Sequence, residues 1–166
     1  LRPDIFHRPQ IGAIDQNNWG KIMTQTSRLL CAFYAVVALV ALYGTWSQNL
    51  AYFGPGAAGG ASFLADLRVN PASRSISIDI GFFLLAAGAF MVFEARRIGQ
   101  RFVWIYIAFG FAIAISVTFP LFLLGRELRM ASPAPVSPPS QLTRALDLVG
   151  LAGLSALSIY FMMWIR

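Results

Sequence analysis

Ile78-Asp79-Ile80-Gly81-Phe82-Phe83-Leu84-Leu85-Ala86-Ala87-Gly88-Ala89-Phe90-Met91-Val92-Phe93 carries a single charge, at its second residue. Such a run approaches the ~20 residues that a helix needs to cross ~30 Å of hydrocarbon. Outward from it lie three more apolar runs, at residues 29–46, 102–124 and 145–165. Lipid offers the backbone no water, so each run must satisfy its own hydrogen bonds as a helix. The expected fold is all-α: a polytopic membrane protein with four transmembrane helices. Four crossings place the N and C termini on the same side.

Composition agrees. Of 166 residues, 57% are hydrophobic and 12% charged. This allows one bundle with modest loops. We divide the chain into an N-terminal extension (1–28), a three-helix membrane core (29–130), a proline-rich linker (131–144) and a fourth transmembrane helix (145–166). The first apolar run is too long and too far along the chain for a signal-peptide core, so it reads as a retained helix. The formal charge of +6 comes from bases at helix ends and in loops. That placement fits anionic headgroups and topology signals, and argues against nucleic acid as a partner. Cys31 is the single cysteine and lies in an apolar run. It reads as a small core residue.

The connections set the topology. Residues 14–28 offer a short interfacial helix, with Trp19, Ile22, Met23 and Thr26 on one side and Asp15 near its start. Residues 47–77 hold Gly54-Pro55-Gly56, Gly59-Gly60 and Asn70-Pro71, which favour turns. They are not a phosphate loop, since no Gly-Lys-Ser/Thr follows. Within this connection residues 62–69 predict one or two helical turns. Ser73, Ser75 and Ser77 offer caps for the second membrane helix. The short connection 94–101 holds Arg96, Arg97 and Arg101 and marks the cytoplasmic side or its stromal equivalent. Both termini are expected there, with Lys21 and Arg28 in agreement. Arg68, Arg74, Arg126, Arg129 and Arg144 then fall on the opposite side. The prolines of 131–140 predict a stiff, extended spacer.

No catalytic constellation is evident. The candidate structural or interaction residues are Asp79, Glu94, Arg96, Arg97, Arg126, Asp147, Gly110 and Ala114. Asp79 is expected at the start of helix two and Asp147 at the start of helix four, where carboxylates suit the helix dipole. In this topology both share one membrane face with Arg126, Glu127 and Arg129, as interfacial ion pairs pinning helix ends. Glu94 and Arg97 are spaced i,i+3 and can pair on one helix face. His7 lies outside the apolar runs, so a His-rich metal or haem site is poorly supported. Asp79, Glu94, Gln48 and Asn49 remain as oxygen donors for magnesium in a pigment. In helix three, Gly110, Ala114 and Thr118 recur at i+4, as do Ala108, Ala112 and Ser116, allowing close helix approach. Pro120 is expected to kink that helix.

Four motifs in order carry a family resemblance: Gly44-Thr45-Trp46; Asn70-Pro71-Ala72-Ser73-Arg74-Ser75-Ile76-Ser77-Ile78-Asp79; Phe93-Glu94-Ala95-Arg96-Arg97-Ile98-Gly99; and Phe119-Pro120-Leu121-Phe122-Leu123-Leu124 with Arg126-Glu127 behind. Over residues 29–130 the chain resembles the small integral membrane proteins catalogued as domain of unknown function 2834. The resemblance implies a fold pattern and supplies no catalytic residues.

The leading expectation is therefore a non-catalytic accessory or structural subunit of a larger energy-transducing membrane complex. Its specific form is a photosynthetic reaction-centre, photosystem or antenna assembly, in a photosynthetic or bacterial inner membrane. Other membrane subunits and lipids are the expected partners, with chlorophyll, carotenoid or bound lipid as the expected ligands. The alternatives are an intramembrane lipid or isoprenoid enzyme using Asp79 or Glu94, or a small carrier component.

Overall fold

The computed structural model describes residues 23–54, 56, 59–131 and 136–166. Their order is α1 (Gln25–Phe53), α2 (Gly60–Asp66), α3 (Pro71–Ile98), α4 (Val103–Ala112), α5 (Ile115–Ala131) and α6 (Gln141–Ile165). Among them, α1, α3 and α6 are long and apolar enough to cross a membrane. The structure is all-α, as expected. Trp19, Ile22 and His7 lie outside the described residues, as do Pro133 and Pro135.

Polar caps define the helix starts. The Thr24 side chain accepts from the Ser27 N–H, that of Asn70 from Ser73 and that of Ser140 from Thr143. Each satisfies an N–H that has no partner within its helix. Asn70-Pro71, expected to be a turn, is instead the cap and first residue of α3. Proline suits that position because the N–H it lacks would be unpaired there anyway. The expected serine caps are consequently displaced: Ser73, Ser75 and Ser77 lie inside α3. Asp79 lies inside it too, in the third turn rather than at the start. The turns predicted at 62–69 appear as α2, shifted slightly toward the N-terminus.

The largest departure concerns the third apolar run. It is not one helix. It breaks at Ile113–Ala114, and α5 folds back along α4. The Tyr106 and Phe122 ring centroids lie 5.7 Å apart. In one straight helix these residues would be separated by about 24 Å. A Cβ built on Gly110 would stand 3.2 Å from Thr118 Oγ1, and one on Gly125 would stand 3.3 Å from the Tyr106 hydroxyl. These contacts define an antiparallel hairpin. Pro120 is not its hinge: it sits buried within α5, six residues after the turn. The Ala114 carbonyl opens α5, accepting the Val117 and Thr118 N–H groups at 3.1 and 3.2 Å and the Thr118 hydroxyl at 3.4 Å.

α3 and α6 also run antiparallel. Arg96 reaches Asp147 at one end of the pair. Cβ atoms on Gly88 and Gly81 would meet Leu154 and Phe161 in succession. The core lies where these two antiparallel pairs face each other. It contains Leu84, Ala87, Met91, Val92 and Ala95 of α3, Val103 and Ile107 of α4, Ile115 and Phe122 of α5, and Leu154 of α6. α1 packs lengthwise on α5 through a narrow stripe that includes Cys31, Tyr34, Ala38, Ala41 and Thr45. Leu29, Phe33, Leu39, Val40 and Tyr43 remain exposed on its other faces.

The ends of the bundle follow from these contacts. Near the end of α1, the Tyr52 hydroxyl donates to Asp66 of α2 at 2.6 Å. Arg68, just beyond α2, lies 4.8 Å above the Trp164 ring near the end of α6. The opposite end gathers the close of α3, the α3–α4 turn, the close of α5 and the start of α6. With α4 and α5 entering and leaving at that same end, α1 begins and α6 finishes at opposite ends. This replaces the shared end expected from four crossings.

Candidate functional site

The end that gathers the α3–α4 turn holds a connected set of charges. Glu94, buried in the penultimate turn of α3, accepts from Arg97 Nε and Nη2 at 2.6 and 2.5 Å. Arg126 of α5 donates to the same carboxylate at 2.5 Å and to Glu127 at 2.8 Å. Next to this set, Arg96 engages Asp147 of α6 through two bonds, at 2.7 and 2.8 Å. Trp104 Nε1 of α4 adds a third donor to Asp147 at 3.0 Å. Four helices are joined through these side chains.

Burial gives the arrangement its weight. The Glu94, Glu127 and Asp147 side chains are 9%, 7% and 10% exposed. A carboxylate stripped of water is costly unless ion pairs and hydrogen bonds replace the hydration. Each of these three has that replacement from arginine, which offers a planar fork matched to a carboxylate. Removing one partner would leave a buried charge without compensation. The network consequently acts as a geometric lock on helix ends. The three carboxylates are already engaged by cations.

The structure sorts the sequence candidates differently from the expected topology. Arg126 and Glu127 share an end with Glu94, not with Asp79. Asp147 pairs with Arg96, and Asp79 lies seventeen residues from Arg96, about 25 Å along α3. The hairpin is the physical reason: it returns α5 to the end where α4 entered. Asp79 is exposed and forms no ion pair with a described residue. The spacing of Glu94 and Arg97 forms the pair it allows. The Gly110, Ala114 and Thr118 series does not form one helix face. Gly110 and Thr118 meet across the hairpin, whereas Ala114 lies at its turn.

Nor do the four oxygen donors converge. Glu94 is at the ion-paired end, while Gln48, Asn49 and Asp79 lie toward the other. Among the described residues, no group of three or more His, Cys, Asp or Glu is arranged to hold a metal ion.

Two features lay beyond the sequence reading. Trp104 is a partner of Asp147, and its ring fills the space above Gly150. A Cβ there would stand 2.3 Å from the indole. The second feature is an open cleft of about 560 Å³ beside the ion pairs. Gly99, Gln100, Arg101, Gly125, Leu128 and Arg129 line it. Gly99 has φ 69°, which a glycine adopts without steric cost, and Gln100 N–H returns to the Ala95 carbonyl at 2.8 Å. This turn brings Ile98 to Arg129, whose Nε donates to the Ile98 carbonyl at 3.2 Å.

These features define a helical bundle protein with three membrane-length apolar helices, a folded-back helical pair and a charged lock at one end. The chain belongs to the family described as "Protein of unknown function DUF2834", whose sequence pattern matches residues 33–128. The match includes most of α1, all of α2 to α4 and most of α5, and stops before α6. No curated protein and no solved structure matches the chain.

Proposed function

We propose that the protein is a non-catalytic structural or accessory subunit of a larger membrane complex. The observation that carries this reading is the use of Glu94, Glu127 and Asp147 to fasten helix ends. Such a lock favours a rigid scaffold. The broad exposed apolar face of α1 supplies surface for lipid or neighbouring helices. A photosynthetic or other energy-transducing setting rests on the aromatic-rich helices alone and is not part of the reading.

The proposed orientation places the ion-paired end toward the cytoplasm or its organellar equivalent. Arg28, Arg96, Arg97, Arg101, Arg126, Arg129 and Arg144 gather toward that end, against Arg68, Arg74 and Arg166 toward the other. This asymmetry accords with the positive-inside rule. Three crossings and one re-entrant hairpin put the start of α1 on the arginine-rich side and the end of α6 opposite.

Purification from native membrane in mild detergent, followed by mass spectrometry and an absorption spectrum of the same particle, tests the function. We expect stoichiometric membrane-protein partners. A lone protein under several gentle extraction conditions would contradict the subunit reading. Co-purifying pigment would specify the setting.

A further inference from the structure

The cleft beside the lock differs from the lock in its charge. It is lined by two arginines and no acid. The nearby acids are already occupied: Glu94 by Arg97 and Arg126, Glu127 by Arg126, and Asp147 by Arg96. Arg101 forms no ion pair or hydrogen bond with a described residue, and Arg129 bonds only the Ile98 carbonyl. Two arginines therefore line one concavity without a described counter-charge. Gln100 Oε1 lies buried in the same lining with no hydrogen-bond partner. A buried acceptor left unpaired costs free energy, so the Gln100 side chain is a weak point of this lining.

The position narrows the ligand class. The cleft lies between the α3–α4 turn and the last turns of α5, at the end of the membrane-length helices. This corresponds to headgroup depth. Leu128 adds an apolar wall suited to the glycerol and upper acyl region of a lipid. Arginine forks match phosphate oxygens, whereas a neutral zwitterionic headgroup would bring its own cation close to them.

We propose that this cleft binds a phosphate-bearing anion, with an anionic phospholipid headgroup as the source that best fits. The phosphodiester occupies the space between Arg101 and Arg129.

The test uses the full chain, purified in detergent and stripped of native lipid. Thermal stability and retained lipid are measured with phosphatidylglycerol, phosphatidylcholine or inorganic phosphate. Arg101→Gln is the principal variant because Arg101 is exposed and bonds nothing in the described fold. Arg129→Gln is the second variant, and Arg74→Gln at the other end controls for general surface charge.

We expect phosphatidylglycerol to be retained and protective over phosphatidylcholine. Arg101→Gln should weaken retention roughly tenfold, as expected for one charge-assisted bond, while Arg74→Gln leaves it unchanged. Protection by phosphatidylglycerol without inorganic phosphate supports a lipid source. Protection by inorganic phosphate alone supports the anion site but assigns it to a free anion. Equal behaviour of all three ligands, or binding unaffected by both cleft-arginine variants, would overturn the proposal.

Discussion

The runs at residues 78–93 and 102–124 are both apolar, and the second is longer, yet only the first lies within one continuous helix. The difference lies in their flanks and in which partners those flanks find. α3 begins at the Asn70 cap beside Arg68 and Arg74 and finishes in Glu94, Arg96 and Arg97. The second run is entered past Arg101 and left through Arg126, Glu127 and Arg129. If straight, it would carry Arg126 away from Glu94. Folding back brings Arg126 onto that carboxylate and sets Gly110 against Thr118. Hydrophobic length permits a crossing, whereas the buried charges select the route.

Breaking the lock should therefore have the largest effect. Glu94→Gln removes the charge shared by Arg97 and Arg126, and should lower folding stability by about 3 kcal/mol. Chemical unfolding in detergent measures this loss. A change below about 0.5 kcal/mol, the size expected at an ordinary surface position, would show that the hairpin holds without the lock.

The α3–α6 pair should be less sensitive, because packing shares its support with charge. Gly150→Ala forces a methyl group toward the Trp104 ring and should cost about 1–3 kcal/mol. The same substitution should shift Trp104 and loosen its Nε1 bond to Asp147. Thermal melting and the tryptophan fluorescence spectrum report both consequences. Unchanged melting and emission would place Trp104 away from Gly150.

The smallest effect is expected at Asp79. It is exposed on α3 and has no ion-pair partner among the described residues. Asp79→Asn should change stability by less than about 0.5 kcal/mol. A loss comparable to that from Glu94→Gln would assign Asp79 a role that the bundle contacts do not provide.

The sequence made the helical class legible because lipid imposes a severe backbone requirement on apolar runs. It also exposed the Glu94–Arg97 pair, since i,i+3 spacing is local. Arg96–Asp147 and Arg126–Glu94 were not legible because they join residues far apart in the chain, and their register depends on the hairpin. The turn at Ile113–Ala114 had no glycine or proline at the break to announce it. Pro120 drew attention to the wrong position. The Asn70 cap was obscured for another reason: Asn-Pro favours turns as readily as it starts a helix.

The hairpin gives two loops a shared fate, and sidedness measures it directly. In a Cys31→Ser background, Arg101→Cys, Ser137→Cys and Ala61→Cys would each be labelled in sealed, oriented vesicles with a membrane-impermeant maleimide. Positions 101 and 137 are expected to label from one side and position 61 from the other. Labelling of position 137 with position 61, opposite position 101, would make the third run a crossing helix and contradict the fold-back.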